Sequence, residues 1–231
     1  MGWNELKGFL GRDFEPGSGP VGDEAARWMV EERGVAGFLE SRAALYYFTT
    51  AEITGAHDRL YAEIRVLKGP CEMIDVECGV GAHGIRLARY GYVANFADSV
   101  AQFRAYVQHR RPKAAVSLPG EAKRNELALS FGGVHRYPPD EQWDHVLQVA
   151  KLGETAIIMV HLGRPLLHAC DAHALEERIA DQFDMVRVAT YDGSWRRITF
   201  QTPEPSEQEQ PDAPQEDVEL TTEEEDLEQE D

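Results

Sequence analysis

The segment Met73-Ile74-Asp75-Val76-Glu77-Cys78-Gly79-Val80-Gly81 most constrains how this chain folds. Met73 to Val76 reads as a short buried strand with one acid inside it. Gly79 and Gly81 then permit a tight turn and a close approach of backbone to ligand, because neither carries a Cβ. A helix is expected from about Ala82 to Tyr90, closed by Gly91. A strand that runs through a glycine turn into a helix opens a β-α-β unit, and such a unit commits the chain to parallel pairing.

The alternation continues. Tyr92 to Ala97 is a second strand, ending at Asp98, and Ser99 is placed to cap the helix of Val100, Phe103 and Val107. Ala114 to Leu118 and Leu127 to Phe131 are the third and fourth strands. Asp140 opens a helix with Trp143, Val146, Leu147 and Ala150 on one face, and Gly153 closes it. Thr155 to Val160 is apolar and partly β-branched, the mark of a strand buried on both faces. Asp171 opens a helix with Leu175, Ile179 and Phe183 inward, and Met185 to Tyr191 and Trp195 to Gln201 flank Asp192-Gly193 as a hairpin. Strands alternating with helices predict an α/β, doubly wound, mainly parallel seven-stranded sheet whose closing hairpin adds an antiparallel edge.

Two segments lie outside this pattern. Residues 1–69 read as a helical extension or lid: Asp23 can cap a helix stopped by Gly34, Thr49 and Glu52 have capping-box spacing, and Leu60, Tyr61, Ile64 and Leu67 make an apolar stripe ending at Lys68-Gly69-Pro70. Residues 203–231 carry 14 of the 41 acids and none of the 23 Lys and Arg. That leaves 27 acids against 23 bases, a net −4, on residues 70–202 and the extension together. The low charge belongs to the tail, which is too polar to offset chain ordering and is expected to be disordered. It suits solubility, or a basic protein partner. A body near neutrality gives no reason to expect nucleic-acid binding. There is no run of apolar residues long enough for a membrane span, Met1 to Leu6 lacks a signal-peptide core, and Cys71, Cys78 and Cys170 are too few and odd for a disulfide framework. A cytoplasmic protein is expected.

In an open parallel sheet ligands bind beyond the carboxyl ends of the strands, where strand order reverses. An acid ending the second strand can accept hydrogen bonds from ribose hydroxyls. Asp75, Gly79, Gly81 and Asp98 have the right places, with Asp98 lying 17 residues beyond Gly81.

Taken together, Asp75 to Gly84, Leu87-Ala88 and Gly91 resemble the class I S-adenosylmethionine-dependent methyltransferases. The resemblance covers about residues 70–201 and implies a Rossmann-like fold with S-adenosylmethionine as cofactor. Asp98-Ser99 is similar to the family's ribose-binding acid and its neighbour. Pro119-Gly120-Glu121-Ala122 looks like the adenine-contacting loop, and Ser130 to His135 like the motif after strand four. The cofactor site implied is therefore Asp75, Glu77, Gly79, Gly81, Asp98, Ser99, Glu121 and Ser130. His135 is the candidate base for a protonated acceptor. The chain departs from the family at Glu77, which stands where the first of three alternating glycines is usual. Its carboxylate can meet the cofactor's ammonium, or it can spoil the site. Methyl transfer to a small molecule is the function implied, and a catalytically inactive scaffold working through its surface or acidic tail is the alternative.

Other patterns carry less. His161, His168, Cys170, Asp171 and His173 do not follow a zinc spacing, and Asp171 serves better as a cap, so no metal is expected. Arg104, His109, Arg110, Arg111 and Lys113 place cations at a helix C-terminus, where the dipole favours them. Tyr46 and Tyr47 are placed to cover a cofactor from the N-terminal side.

Overall fold

The computed structural model describes residues 19–44, 56–163, 167–191 and 193–203. Two helices, α1 (Gly19–Leu39) and α2 (Ala56–Leu67), precede the sheet. There follow β1 (Glu72–Val76), α3 (Ala82–Ala88), β2 (Val93–Ala97), α4 (Ala101–Arg110), β3 (Val116–Ser117), β4 (Asn125–Phe131), α5 (Gln142–Leu152), β5 (Gly153–His161), α6 (Ala172–Gln182), β6 (Asp184–Tyr191) and β7 (Trp195–Gln201). Short 3₁₀ turns at Pro119–Glu121 and Gly133–Arg136 follow β3 and β4.

The sheet has seven strands in the order β3-β2-β1-β4-β5-β7-β6. The pairs β1–β2, β2–β3, β1–β4 and β4–β5 are parallel. Only β7 runs against the rest, paired with β5 on one side and β6 on the other. The closing hairpin is antiparallel and stands at the edge of the sheet, as expected. Its second strand is inserted inside the sheet, and β6 is the edge, because α6 carries the chain past the place that β7 later fills.

Strand alternation sorts side chains to two faces. Met73, Leu127, Leu129, Ile157 and Met159 pack with Leu60 and Ile64 of α2 and Leu87 of α3. Ile74, Val76, Ala128, Ala156, Ile158 and Val160 pack with Val146 and Val149 of α5 and Leu175 and Ile179 of α6. Each Val, Leu, Ile or Met among them contributes about 1.5–3 kcal/mol on burial. A third cluster joins α1, through Met29, Val30 and Phe38, to Phe103 and Tyr106 of α4.

Local expectations fare unevenly. Gly34 breaks the first helix as a kink, with φ 71, yet α1 begins at Gly19 rather than Asp23. Asp171 caps α6, accepting from the amides of His173 and Ala174 at 3.0 and 3.1 Å. Helix α5 starts at Gln142, after Glu141, so Asp140 does not open it. The third strand shrinks to Val116–Ser117. The basic end of α4 is used in packing: Arg110 pairs with Glu24, and His109 stacks on Trp28 at 5.2 Å. Tyr46, Tyr47, Thr49, Glu52, Asp192 and the acidic tail lie outside the described residues. Among those described, no helix is long and apolar enough to cross a membrane.

Candidate functional site

Strand order reverses between β1 and β4, so the carboxyl end of β1 faces the ligand crevice of this topology. The turn there is left-handed at three positions: Glu77 (φ 55), Gly79 (φ 56) and Gly81 (φ 71). Glycine adopts this backbone freely, while a residue with a Cβ loses roughly 1–2 kcal/mol. Glu77 therefore holds a glycine's conformation under strain. A Cβ on Gly84 would lie 2.4 Å from the Phe96 ring, so α3 can sit this close to β2 only with glycine there.

Asp75 is fully buried. Its Oδ2 accepts the Gly84 amide at 2.9 Å, tying β1 to α3, while Oδ1 has no partner. Burial pushes its carboxyl up to about 7. Asp98 closes β2. Its Oδ2 accepts the Gly79 amide and its Oδ1 the Val100 amide, both at 2.7 Å. Ser99 does not cap the helix as expected: the N-cap is Val100, with no side-chain cap, and α4 begins after it. The Ser99 hydroxyl instead donates to Glu77 Oε2 at 3.1 Å.

The residue that organises this mouth is Arg136, last in the turn after β4. Its Nη1 donates to Glu77 Oε2 at 2.5 Å and to Asp98 Oδ2 at 2.8 Å. Both carboxylates are fully buried, and the guanidinium lies 5.3 Å over the Phe103 ring. Tyr137, next in the chain, donates its hydroxyl to Glu77 Oε1 at 2.8 Å. Burial alone would raise the Glu77 carboxyl, but Arg136 and Tyr137 outweigh it and hold it below its ordinary value. For Asp98 burial wins: its carboxyl rises to about 6, with Arg136 opposing and Glu77 adding to the rise. The Tyr137 phenol is raised by burial and by the adjoining carboxylate.

Of the residues expected here, Asp75, Glu77, Gly79, Gly81, Asp98 and Ser99 come together at the mouth. Ser130 lies beneath it, bonded to His145 Nε2 at 2.8 Å, and burial depresses that imidazole to about 4. Glu121 is exposed in the turn after β3. His135 is held within the chain. Its Nδ1 meets the His168 carbonyl at 2.9 Å, and its Nε2 accepts the His161 amide at 2.9 Å. Those bonds require the neutral ring with its proton on Nδ1, and burial lowers its pKa further. It ties the turn after β4 to the end of β5 and to His168, with both ring nitrogens engaged. Sequence reasoning missed Arg136 and Tyr137. The signal was present: an acid in a buried glycine's place needs a cation nearby.

Farther along the carboxyl edge stands an aromatic row. His83 stacks on Phe131 at 3.8 Å, Phe131 tilts against Trp195 at 5.2 Å, and His161 meets Trp195 edge-on at 4.8 Å. The Tyr61 hydroxyl bonds His83 Nδ1 at 2.9 Å. Among the described residues no group of His, Cys, Asp and Glu is gathered to hold a metal.

No family model and no curated protein matches this chain. Solved structures do. Magnesium protoporphyrin IX methyltransferase from Synechocystis PCC 6803, with S-adenosylmethionine bound, is 11% identical, covers 87% of this chain and 97% of its own, and superposes with a TM-score of 0.52. A TehB-like S-adenosylmethionine-dependent methyltransferase from Corynebacterium glutamicum is 16% identical over 78% of this chain and 98% of its own, TM-score 0.51. The 1,6-didemethyltoxoflavin-N1-methyltransferase of Burkholderia thailandensis, with S-adenosylhomocysteine bound, is 15% identical over 65% and 79%, TM-score 0.50. This chain has the class I methyltransferase fold. At these identities the likeness is one of architecture, and the site must be judged on its own residues.

For the methyltransferase fold's adenosyl ligand the donor types fit. A carboxylate closes β2, glycine amides line the turn, and the Gly79 cradle has no Cβ. The cradle is filled from within, however: a Cβ on Gly79 would meet Arg136 Nη2 at 3.2 Å. The guanidinium of Arg136 stands against the acid that would receive a ribose.

Proposed function

We propose that this protein binds S-adenosylmethionine and transfers its methyl group to a small-molecule acceptor. The observation that carries this reading is the carboxylate of Asp98, set at the switch point beside the left-handed turn of Gly79 and oriented by two backbone amides. When bound, the cofactor supplies a methyl group already activated on a sulfonium. The chain's own part is to bind, align and exclude water. Asp98 receives the ribose hydroxyls once its bond to Arg136 opens. The carboxylate of Glu77 stands beside it and holds Arg136 at the mouth. Ser99 and Tyr137 keep that carboxylate oriented. With His135 committed to its loop, the reading uses no general base.

The acceptor class rests on two supports. The aromatic row of His83, Phe131 and Trp195 lies along the same edge as the mouth and suits a flat organic molecule. Two of the structural neighbours bear names of methyltransferases for magnesium protoporphyrin IX and 1,6-didemethyltoxoflavin. The test is transfer of radiolabelled methyl from S-adenosylmethionine, at millimolar concentration, to lysate fractions separated into small molecules, protein and nucleic acid. Label in the small-molecule fraction, lost in Asp98→Ala, is the expected result. Label in no fraction refutes the enzyme, and label confined to macromolecules refutes the acceptor class.

A further inference from the structure

Three facts about the mouth do not follow from a simple ligand pocket. Glu77 accepts backbone strain at a position where glycine would be relaxed. Its carboxylate then spends Oε2 on Arg136 and Ser99 and Oε1 on Tyr137, all groups of this chain. Asp98 likewise gives Oδ2 to Arg136 as well as to Gly79. The positive charge that both carboxylates need is supplied from within, at the place where a cationic ligand would supply it. An ion cluster that only stiffened the loop would not need to sit on the acid closing β2.

We propose that Arg136 is an internal competitor for the cofactor: its guanidinium bridges Glu77 and Asp98, and adenosyl ligands engage Asp98 only after it withdraws. This rests on the reading of the site as an S-adenosylmethionine pocket. The turn that carries Arg136 makes withdrawal feasible. The side chain retains 13% exposure, whereas both carboxylates have none. Withdrawal takes the guanidinium off both carboxylates by side-chain torsions, while the backbone of Gly133–Arg136 stays anchored through His135. The exchange conserves charge. One cation leaves the two carboxylates, and the sulfonium and ammonium of the cofactor, offset by its own carboxylate, bring a net single positive charge back. Glu77 thus holds the competitor in place, which accounts for an acid in a glycine's place.

Competition lowers apparent affinity by the fraction of molecules with Arg136 withdrawn, and a withdrawn state of roughly 1–10% weakens binding about 10- to 100-fold. The experiment is calorimetric titration of S-adenosylmethionine into the full chain, wild type, Arg136→Met and Glu77→Gly. Arg136→Met removes the competitor. Glu77→Gly removes its anchor and relaxes the backbone, so it remains informative if Arg136→Met folds poorly. Tightening in both by about tenfold or more is expected. If either folded variant binds no better than a wild type that does bind, Arg136 is not a competitor, and the cofactor reading stands. If all three fail to bind at millimolar ligand, the cofactor reading falls and the competitor with it. Binding by the variants alone would support the competitor but refute methyl transfer by the wild-type protein.

Discussion

Replacing Arg136 by methionine in the unliganded protein isolates what the ion cluster contributes to stability. Methionine has similar reach and no charge, so the substitution removes two bonds, of 2.5 Å to Glu77 and 2.8 Å to Asp98, without opening a large void. Removing one partner from a buried ion cluster costs about 3–5 kcal/mol, because the remaining charge is left uncompensated. The lower end applies here. Glu77 keeps Tyr137 and Ser99, and Asp98 keeps the amides of Gly79 and Val100. For a domain of this size about 3 kcal/mol corresponds to a melting shift of roughly 6–12 °C. The pH dependence provides the sharper check. In the wild type Arg136 pulls both carboxyls downward. Without it both folded-state pKa values rise, so the folded protein retains protons that the unfolded chain releases. Stability is then lost as pH rises through those values. Thermal melts by circular dichroism at pH 5 and pH 8 should show the variant further below wild type at pH 8. A melting point within about 2 °C of wild type at pH 8, or a gap that narrows with rising pH, refutes the assignment of Arg136 as the counter-ion.

Two further outcomes follow from the same mouth. A Cβ at Gly133 would lie 2.5 Å from Ser130 Oγ and 3.0 Å from Glu77 Cβ, so Gly133→Ala should cost about 1–3 kcal/mol by overpacking, while Gly120→Ala, with open space, should stay within about 0.5 kcal/mol; equal urea midpoints for the two would show the turn to be loosely packed. Asp75 rises from 3.8 to about 7, so its folded form holds a proton that the unfolded chain sheds, and stability falls as pH climbs from about 4 to about 7. Asp75→Asn removes that loss and should gain on wild type by roughly 3 kcal/mol between pH 5 and pH 8; a pH-independent difference in urea denaturation would mean that Asp75 is ionised in its buried site.

Periodicity and glycine placement carried most of the architecture. The apolar run Thr155 to Val160 had to be a strand buried on both faces, and Asp171 had to cap a helix, because each depends on neighbours within a few residues. Those interactions are local, and a linear reading captures them. The same logic located Asp75, Gly79, Gly81 and Asp98, since a turn after a strand places its residues by spacing alone. What the spacing could not decide was where side-chain atoms go once the turn after β4 folds back. His135 and Arg136 are adjacent, yet one is locked between the His168 carbonyl and the His161 amide, 33 and 26 residues away, while the other reaches Glu77, 59 residues away. Ser99 gives no cap to α4, and its hydroxyl goes instead to Glu77, in the turn after β1. Hydrogen bonds and ion pairs are short-ranged and directional, so contacts this distant in sequence are settled only by the packing of β1, β2 and β4 side by side.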